Sequence, residues 1–127
     1  MEHRLAAVLI SDIVDYTKLM EVDTDGTVGA WSKARDDIIE PTVTINEGRI
    51  VKFTGDGFLA EFKTVQKALE TGIELQNKLS NNILKFRMAV NLGDIVDDGR
   101  DIHGEGINIA ARLEGLSEPG GIVISGD

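Results

Sequence analysis

The chain has no cysteine, so disulfides and thiolate metal sites are excluded. It holds only two prolines among 127 residues, one of them, Pro41, inside a stretch that otherwise reads as helix. Aromatic residues make up only 5%. Basic residues are in deficit: 13 Lys and Arg stand against 22 Asp and Glu, giving a net charge of -9. A nucleic-acid binder draws its affinity largely from neutralising phosphates, so that balance argues against one. It does not argue against a small anionic ligand, because screening limits exposed charges to a reach of about 10 Å. No apolar run is long enough to span a bilayer. The N-terminal run Leu5 to Ile10 is too short for a secretory signal and is followed at once by polar residues. These absences point to the cytosol, with no membrane segment. At 42% hydrophobic and 28% charged residues, the composition is that of one globular domain over 1–127.

What is present begins with an alternation of strand and helix signals. Residues 5–11 are continuously apolar up to Ser11 and predict a strand buried on both faces. A polar loop from Asp12 to Lys18 is expected next. Residues 25–46 predict a helix with Val28, Trp31, Ile38 and Ile45 along one stripe, kinked or split at Pro41. Strands over 49–53 and 58–62 flank Gly55-Asp56-Gly57, a hairpin signal. Thr64 caps a helix running to about Leu79, with Val65, Leu69 and Ile73 on one face. Residues 86–92 alternate strictly and predict a half-buried strand, with Phe86, Met88, Val90 and Leu92 inward. A stretch rich in Gly and Asp, 93–106, leads to a helix over 107–116 with Ile109, Leu113 and Leu116 inward. A turn at 118–121 and a short strand over 122–125 close the pattern. The order βαββαβ, then α, then β, predicts an α+β fold with a ferredoxin-like core, an added helix and strand, and helices packed on a mixed sheet.

Two carboxylates stand out on this frame. Asp12 follows the first strand and Asp56 lies in the hairpin turn. Strand ends at one sheet edge can bring such residues together, and paired carboxylates repel unless neutralised. Hard oxygen ligands suit magnesium or manganese, which points to phosphate chemistry. Lys52 sits mid-strand, on the face of Ile50 by period-two alternation; it is either an edge-strand decoration or a recognition group. Asn108 and Arg112 are four apart on a helix, and Arg suits phosphate, although a surface Asn and a salt-bridging Arg would read the same way. Asp101 belongs to an acidic stretch with Asp94, Asp97 and Asp98, of the kind that usually forms a solvated face. Asp23-Thr24-Asp25-Gly26 resembles part of a calcium loop, but the twelfth position is Ser32 rather than Glu, so Thr24 or Asp25 is read as a helix cap.

Three blocks together resemble the class III nucleotidyl cyclases: 11–17 (Ser11-Asp12-Ile13-Val14-Asp15-Tyr16-Thr17), 52–58 around Thr54-Gly55-Asp56-Gly57, and 101–114 from Asp101 to Glu114. All six side-chain positions of that family's active site are filled at its spacing, over a resemblance that runs from about Leu5 to the last residue. The resemblance implies an adenylyl cyclase that makes 3′,5′-cyclic AMP and pyrophosphate from ATP. Asp12, Asp56 and the carbonyl of Ile13 would bind two divalent ions, Mg²⁺ or Mn²⁺. Lys52 and Asp101 would recognise adenine, Asn108 would orient the ribose, and Arg112 would hold the attacked phosphate. The loop Val14-Asp15-Tyr16-Thr17 would cradle the triphosphate. The metal-binding and the nucleotide-handling halves would come from different protomers of a homodimer, and family members are commonly joined to regulatory regions.

Two departures modify that expectation. Asp15 stands where relatives usually have glycine. The chain also ends at Asp127, where relatives continue with a further helix and strands, so weakened activity or an exposed apolar edge is expected. A nucleotide-binding or regulatory module without turnover is the alternative. A diguanylate cyclase would share the core but is disfavoured by the absence of a Gly-Gly-Asp/Glu-Glu-Phe turn and by the helix bearing Asn108 and Arg112.

Overall fold

The computed structural model describes residues 1–125. The chain runs β1 (Glu2–Ile13), α1 (Tyr16–Val22), α2 (Thr24–Ala34), a π-helical turn (Arg35–Ile39), α3 (Glu40–Ile45), β2 (Arg49–Phe53), β3 (Gly57–Phe62), α4 (Val65–Lys78), β4 (Phe86–Asp97), β5 (Ile102–His103), α5 (Glu105–Glu114) and β6 (Ile122–Ile124). The sheet order is β2-β3-β1-β4-β5, with β6 also on β4. Every pairing is antiparallel except β4 with β6, so the sheet is mixed and its core has the ferredoxin-like order.

β1 and β4 pair along their whole length, from Glu2 opposite Asp97 to Ile13 opposite Phe86. Side chains alternate across that spine. Leu9, Phe58, Phe62, Phe86, Met88 and Val90 pack on one face against Trp31, Ile39, Val43 and Leu75 from the long helical layer. Ala6, Val8, Leu59, Ile95 and Ile102 pack on the other face against Ala110 of α5. Covering both faces explains the first departure from expectation. β4 is not half-buried: Ala89 and Asn91, expected outward, are buried, while Leu92 is exposed, and the strand continues to Asp97.

Other differences have local causes. The loop expected over 12–18 is shorter, because β1 extends through Ile13 and α1 begins at Tyr16. The helix over 25–46 is split ahead of Pro41, which enters α3 in its first turn where its missing N–H costs least. The π-helical turn adds a residue to the helical phase, so Ile39 and Val43 face inward while Ile45 is exposed. On α4, Ala68, Gly72 and Leu75 face the sheet and Ile73 is half exposed, because Gly72 permits close approach to Ile122 and Leu9. Thr64 caps α4 as expected, its Oγ1 accepting from the Lys67 amide at 3.1 Å.

α5 is also turned relative to expectation. Gly106, Ala110 and Glu114 face inward, while Leu116 lies beyond the helix and is exposed. The reason is contact distance. A Cβ on Gly93 would meet the Gly106 Cα at 2.8 Å, so the helix docks on β4 through two glycines. The 93–106 segment contains an ordered hairpin, with β5 pairing with the end of β4. Among the described residues, no helix is long and apolar enough to cross a membrane.

Candidate active site

Asp12 shares the strand phase of Ala6, Val8 and Ile10, so its side chain lies on the sheet face covered by α5. It pairs across β1–β3 with Gly57, which places Asp56 one residue beyond it. The hairpin turn is pinned there by the Ile13 amide, which donates to the Asp56 carbonyl at 2.7 Å. Gly57 is required for this approach, since a Cβ would come within 2.1 Å of the Ser11 carbonyl oxygen. Asp12 and Asp56 are therefore neighbours at one end of the sheet.

The position of Lys52 corrects the sequence reading. A β-bulge between Ile50 and Lys52 shifts the β2–β3 register, so Ile50 faces the helical layer while Lys52 pairs with Leu59 on the α5 side. The extra residue re-aims the lysine. Its Nζ lies 2.7 Å from Asp101 Oδ2, across from the β4–β5 hairpin. That hydrogen bond, set against partial burial, holds the Asp101 carboxyl below the usual carboxylate range. The turn is itself tied together by Asp98, whose Oδ1 accepts from the amides of Arg100 and Asp101 at 2.9 Å each. The acidic stretch is thus an organised turn around Asp101 as well as a solvated face.

A cavity of about 340 Å³ opens between α5 and the sheet, lined among others by Asp12, Lys52, Thr54, Ile107 and Glu114. Glu114 was not singled out from the sequence. A signal was present: Gly106, Ala110 and Glu114 recur at i, i+4 and i+8, and an acid that continues a small-residue stripe is carried into the contact. Glu114 is 8% exposed. Burial, then the Asp12 carboxylate, pushes its carboxyl up to about 8, with Arg87 acting in the opposite sense. Asp12 Oδ1 and Glu114 Oε1 are both buried without a hydrogen-bond partner among the described residues. Buried acceptors of this kind are costly unless something positive meets them. The donor set is all oxygen, so the residues fit a hard divalent ion. Among the described residues, no three acidic or histidine side chains converge enough to cage a metal unaided.

Asn108 and Arg112 are exposed on α5. At 100° per residue, Arg112 lies roughly 200° around the helix from Glu114, so it points away from the Asp12 end of its own chain. In the loop after β1, the Val14 amide is committed to the Lys85 carbonyl at 2.8 Å. Asp15 adopts a left-handed conformation with φ of 55°, which glycine enters without steric cost. Tyr16 and Thr17 begin α1. A recess of about 460 Å³ at the opposite end of the sheet is lined by Arg4, Arg49 and Glu61, whose charges already pair with one another.

Taken together, the fold and these residues define an α+β domain with an acidic cleft at one sheet end and a Lys–Asp pair beside it. No family model matches the chain. A Rhizobium meliloti protein that carries an adenylate cyclase name is 39% identical over 98% of this chain, which spans 23% of that protein's length. An adenylate cyclase of Glutamicibacter nicotianae is 30% identical over 92% of the chain, which spans 30% of it. The crystal structure of an adenylate/guanylate cyclase/hydrolase from Silicibacter pomeroyi is 38% identical with a TM-score of 0.90, covering 98% of this chain and 77% of that one. The chain belongs to the class III adenylyl/guanylyl cyclase catalytic-domain family.

Proposed function

We propose that this domain converts ATP to 3′,5′-cyclic AMP and pyrophosphate at a site shared between two copies of the chain. The observation that carries the reading is the 2.7 Å pair of Lys52 and Asp101 beside the acidic cleft. Lysine only donates and an ionised aspartate only accepts, which matches a ring-nitrogen acceptor and the N6 amino donor of adenine. A guanine edge presents the reverse pattern and would leave both groups unpaired, a discrimination that can reach about 10⁴-fold.

Asp12, Asp56 and the Ile13 carbonyl would hold two divalent ions. Those ions, when bound, would lower the pKa of the ribose 3′-hydroxyl and offset the triphosphate charge. Asn108 would fix the ribose so that the 3′-oxygen lies in line with the α-phosphorus. The 3′-hydroxyl gives up its proton to solvent, the new 3′-O–P bond forms as the bond from the α-phosphorus to the α,β-bridging oxygen breaks, and pyrophosphate leaves with that electron pair. Arg112 would meet the charge that grows on the α-phosphoryl oxygens. The outward direction of Asn108 and Arg112 supports their service to a partner's metal site, and a symmetric pair would carry two such sites. The loop Val14-Asp15-Tyr16-Thr17 would receive the triphosphate, with Val14 contributing no free amide.

Asp15 favours a second reading, a nucleotide-binding module with little turnover, because its carboxylate would repel the phosphates. Cyclic AMP formed from ATP with Mn²⁺, by the wild type and by Asp56→Ala, separates the two. The proposal expects product from the wild type and loss of it in the variant; equal output from both would refute it.

A further inference from the structure

We infer that Glu114 is a positioning residue of the divalent-cation site, acting on the ion through Asp12 of the same protomer. The inference rests on the proposed reading of Asp12 as a cation ligand. Three observations point to it. Glu114 is 8% exposed, although it is an acid at the end of a helix that has solvent on its other side. It lines the cavity between α5 and the sheet together with Asp12 and Lys52. Its Oε1 and Asp12 Oδ1 are both orphaned at the wall of one cavity.

Among the described residues, no cationic side chain pairs with these oxygens. Arg87, whose field reaches Glu114, commits its Nε to the Ser117 carbonyl at 3.0 Å. Lys52 commits its Nζ to Asp101 at 2.7 Å. Two buried carboxyl oxygens left without a partner at one cavity wall are sustained by a bound cation or by a shared proton. The two carboxyl groups, both hard oxygen ligands, and the adjoining Asp56 carboxylate favour the cation. As an outer-shell carboxylate, Glu114 would fix the Asp12 rotamer and add negative charge behind the ligand. It would also tie α5, which carries Asn108 and Arg112 toward the partner, to the loading of its own protomer's cation site.

The test is Mn²⁺ uptake by the full chain without nucleotide, followed by the electron paramagnetic resonance signal of free Mn²⁺. Glu114→Gln keeps the shape and removes the charge. It is expected to weaken Mn²⁺ affinity about 10- to 100-fold, the usual effect of losing an outer-shell partner. Glu114→Asp retains the charge and is expected to bind more tightly than Glu114→Gln, which keeps the inference testable if the glutamine variant folds poorly. Asp12→Asn reports on the parent reading. If Asp12→Asn abolishes uptake while Glu114→Gln binds as well as the wild type or better, a proton bridges the two acids and this inference alone fails. If Asp12→Asn leaves uptake unchanged, or the wild type takes up no Mn²⁺, the cation reading fails with it.

Discussion

Gly106→Ala sets two physical effects against each other. Replacing glycine by alanine inside a helix ordinarily gains about 0.8–1.0 kcal/mol. At Gly106 the new Cβ would lie 2.8 Å from the Asp94 carbonyl oxygen and 3.0 Å from the Gly93 carbonyl carbon. Both are backbone atoms of β4, so neither can rotate away, and α5 must lift from the sheet. Forced overpacking of this sort typically costs about 1–3 kcal/mol. The expected net effect is a loss of about 0–2 kcal/mol, the steric cost cancelling or exceeding the propensity gain. Gly29→Ala is the matched control, because nothing lies within 4 Å of its added Cβ on α2. That variant should gain up to about 1 kcal/mol. Urea unfolding at fixed protein concentration, followed by the fluorescence of the single, buried Trp31, measures both. Lifting α5 also displaces Asn108, Arg112 and Glu114, so cyclase turnover should fall by roughly 100-fold for a shift near 1 Å. A Gly106→Ala protein stabilised as much as Gly29→Ala would refute the argument that glycine-to-backbone contact sets the position of α5.

Further predictions concern the site. Asp56→Asn and Arg112→Ala should each be inactive alone, yet an equal mixture should recover up to about a quarter of wild-type cyclic AMP production, because half of the dimers then carry one intact site; no recovery would place both residues in one protomer's site. Lys52→Glu with Asp101→Lys should lower kcat/KM for ATP relative to GTP by at least about 100-fold, measured with both nucleotides under Mn²⁺. Asp98 is held well below the usual carboxylate range, first by the Asp101 and Arg100 amides and then by His103. The unfolded chain therefore takes up this proton first as pH falls, so the contribution of Asp98 is complete above the ordinary carboxylate pKa and is lost as pH drops through its lowered folded value. Asp98→Asn should flatten that acid limb in urea midpoints taken between about pH 2 and pH 6.

Some of this architecture can be read from the chain alone, where the information is local. The Gly55-Asp56-Gly57 hairpin, the Thr64 cap and the break near Pro41 depend on a few adjacent residues, and each stands where those residues put it. The faces of α4 and α5 were not legible. Both helices turn their smallest residues inward, because close backbone approach to the sheet outweighs the apolar moment. Ile73 is left half exposed as a result. Lys52 falls on the α5 side of the sheet because of a bulge whose only trace in the sequence is one residue more on β2 than β3 accommodates. Glu114 was legible only as the continuation of the Gly106 and Ala110 stripe, because its burial depends on which way α5 turns.

The sequence by itself determined the strand and helix order, the spacing of Asp12, Lys52, Asp56, Asp101, Asn108 and Arg112, and through them the family. Those features follow from short-range propensity and from the identity of side chains, which the chain carries unfolded or folded. Only the tertiary structure decided that Asp12 and Asp56 are neighbours, that Lys52 meets Asp101, that Arg112 points out of its protomer, and that Glu114 is buried against Asp12. Each of these is a contact between distant segments, fixed by strand register and by how near two backbones can approach.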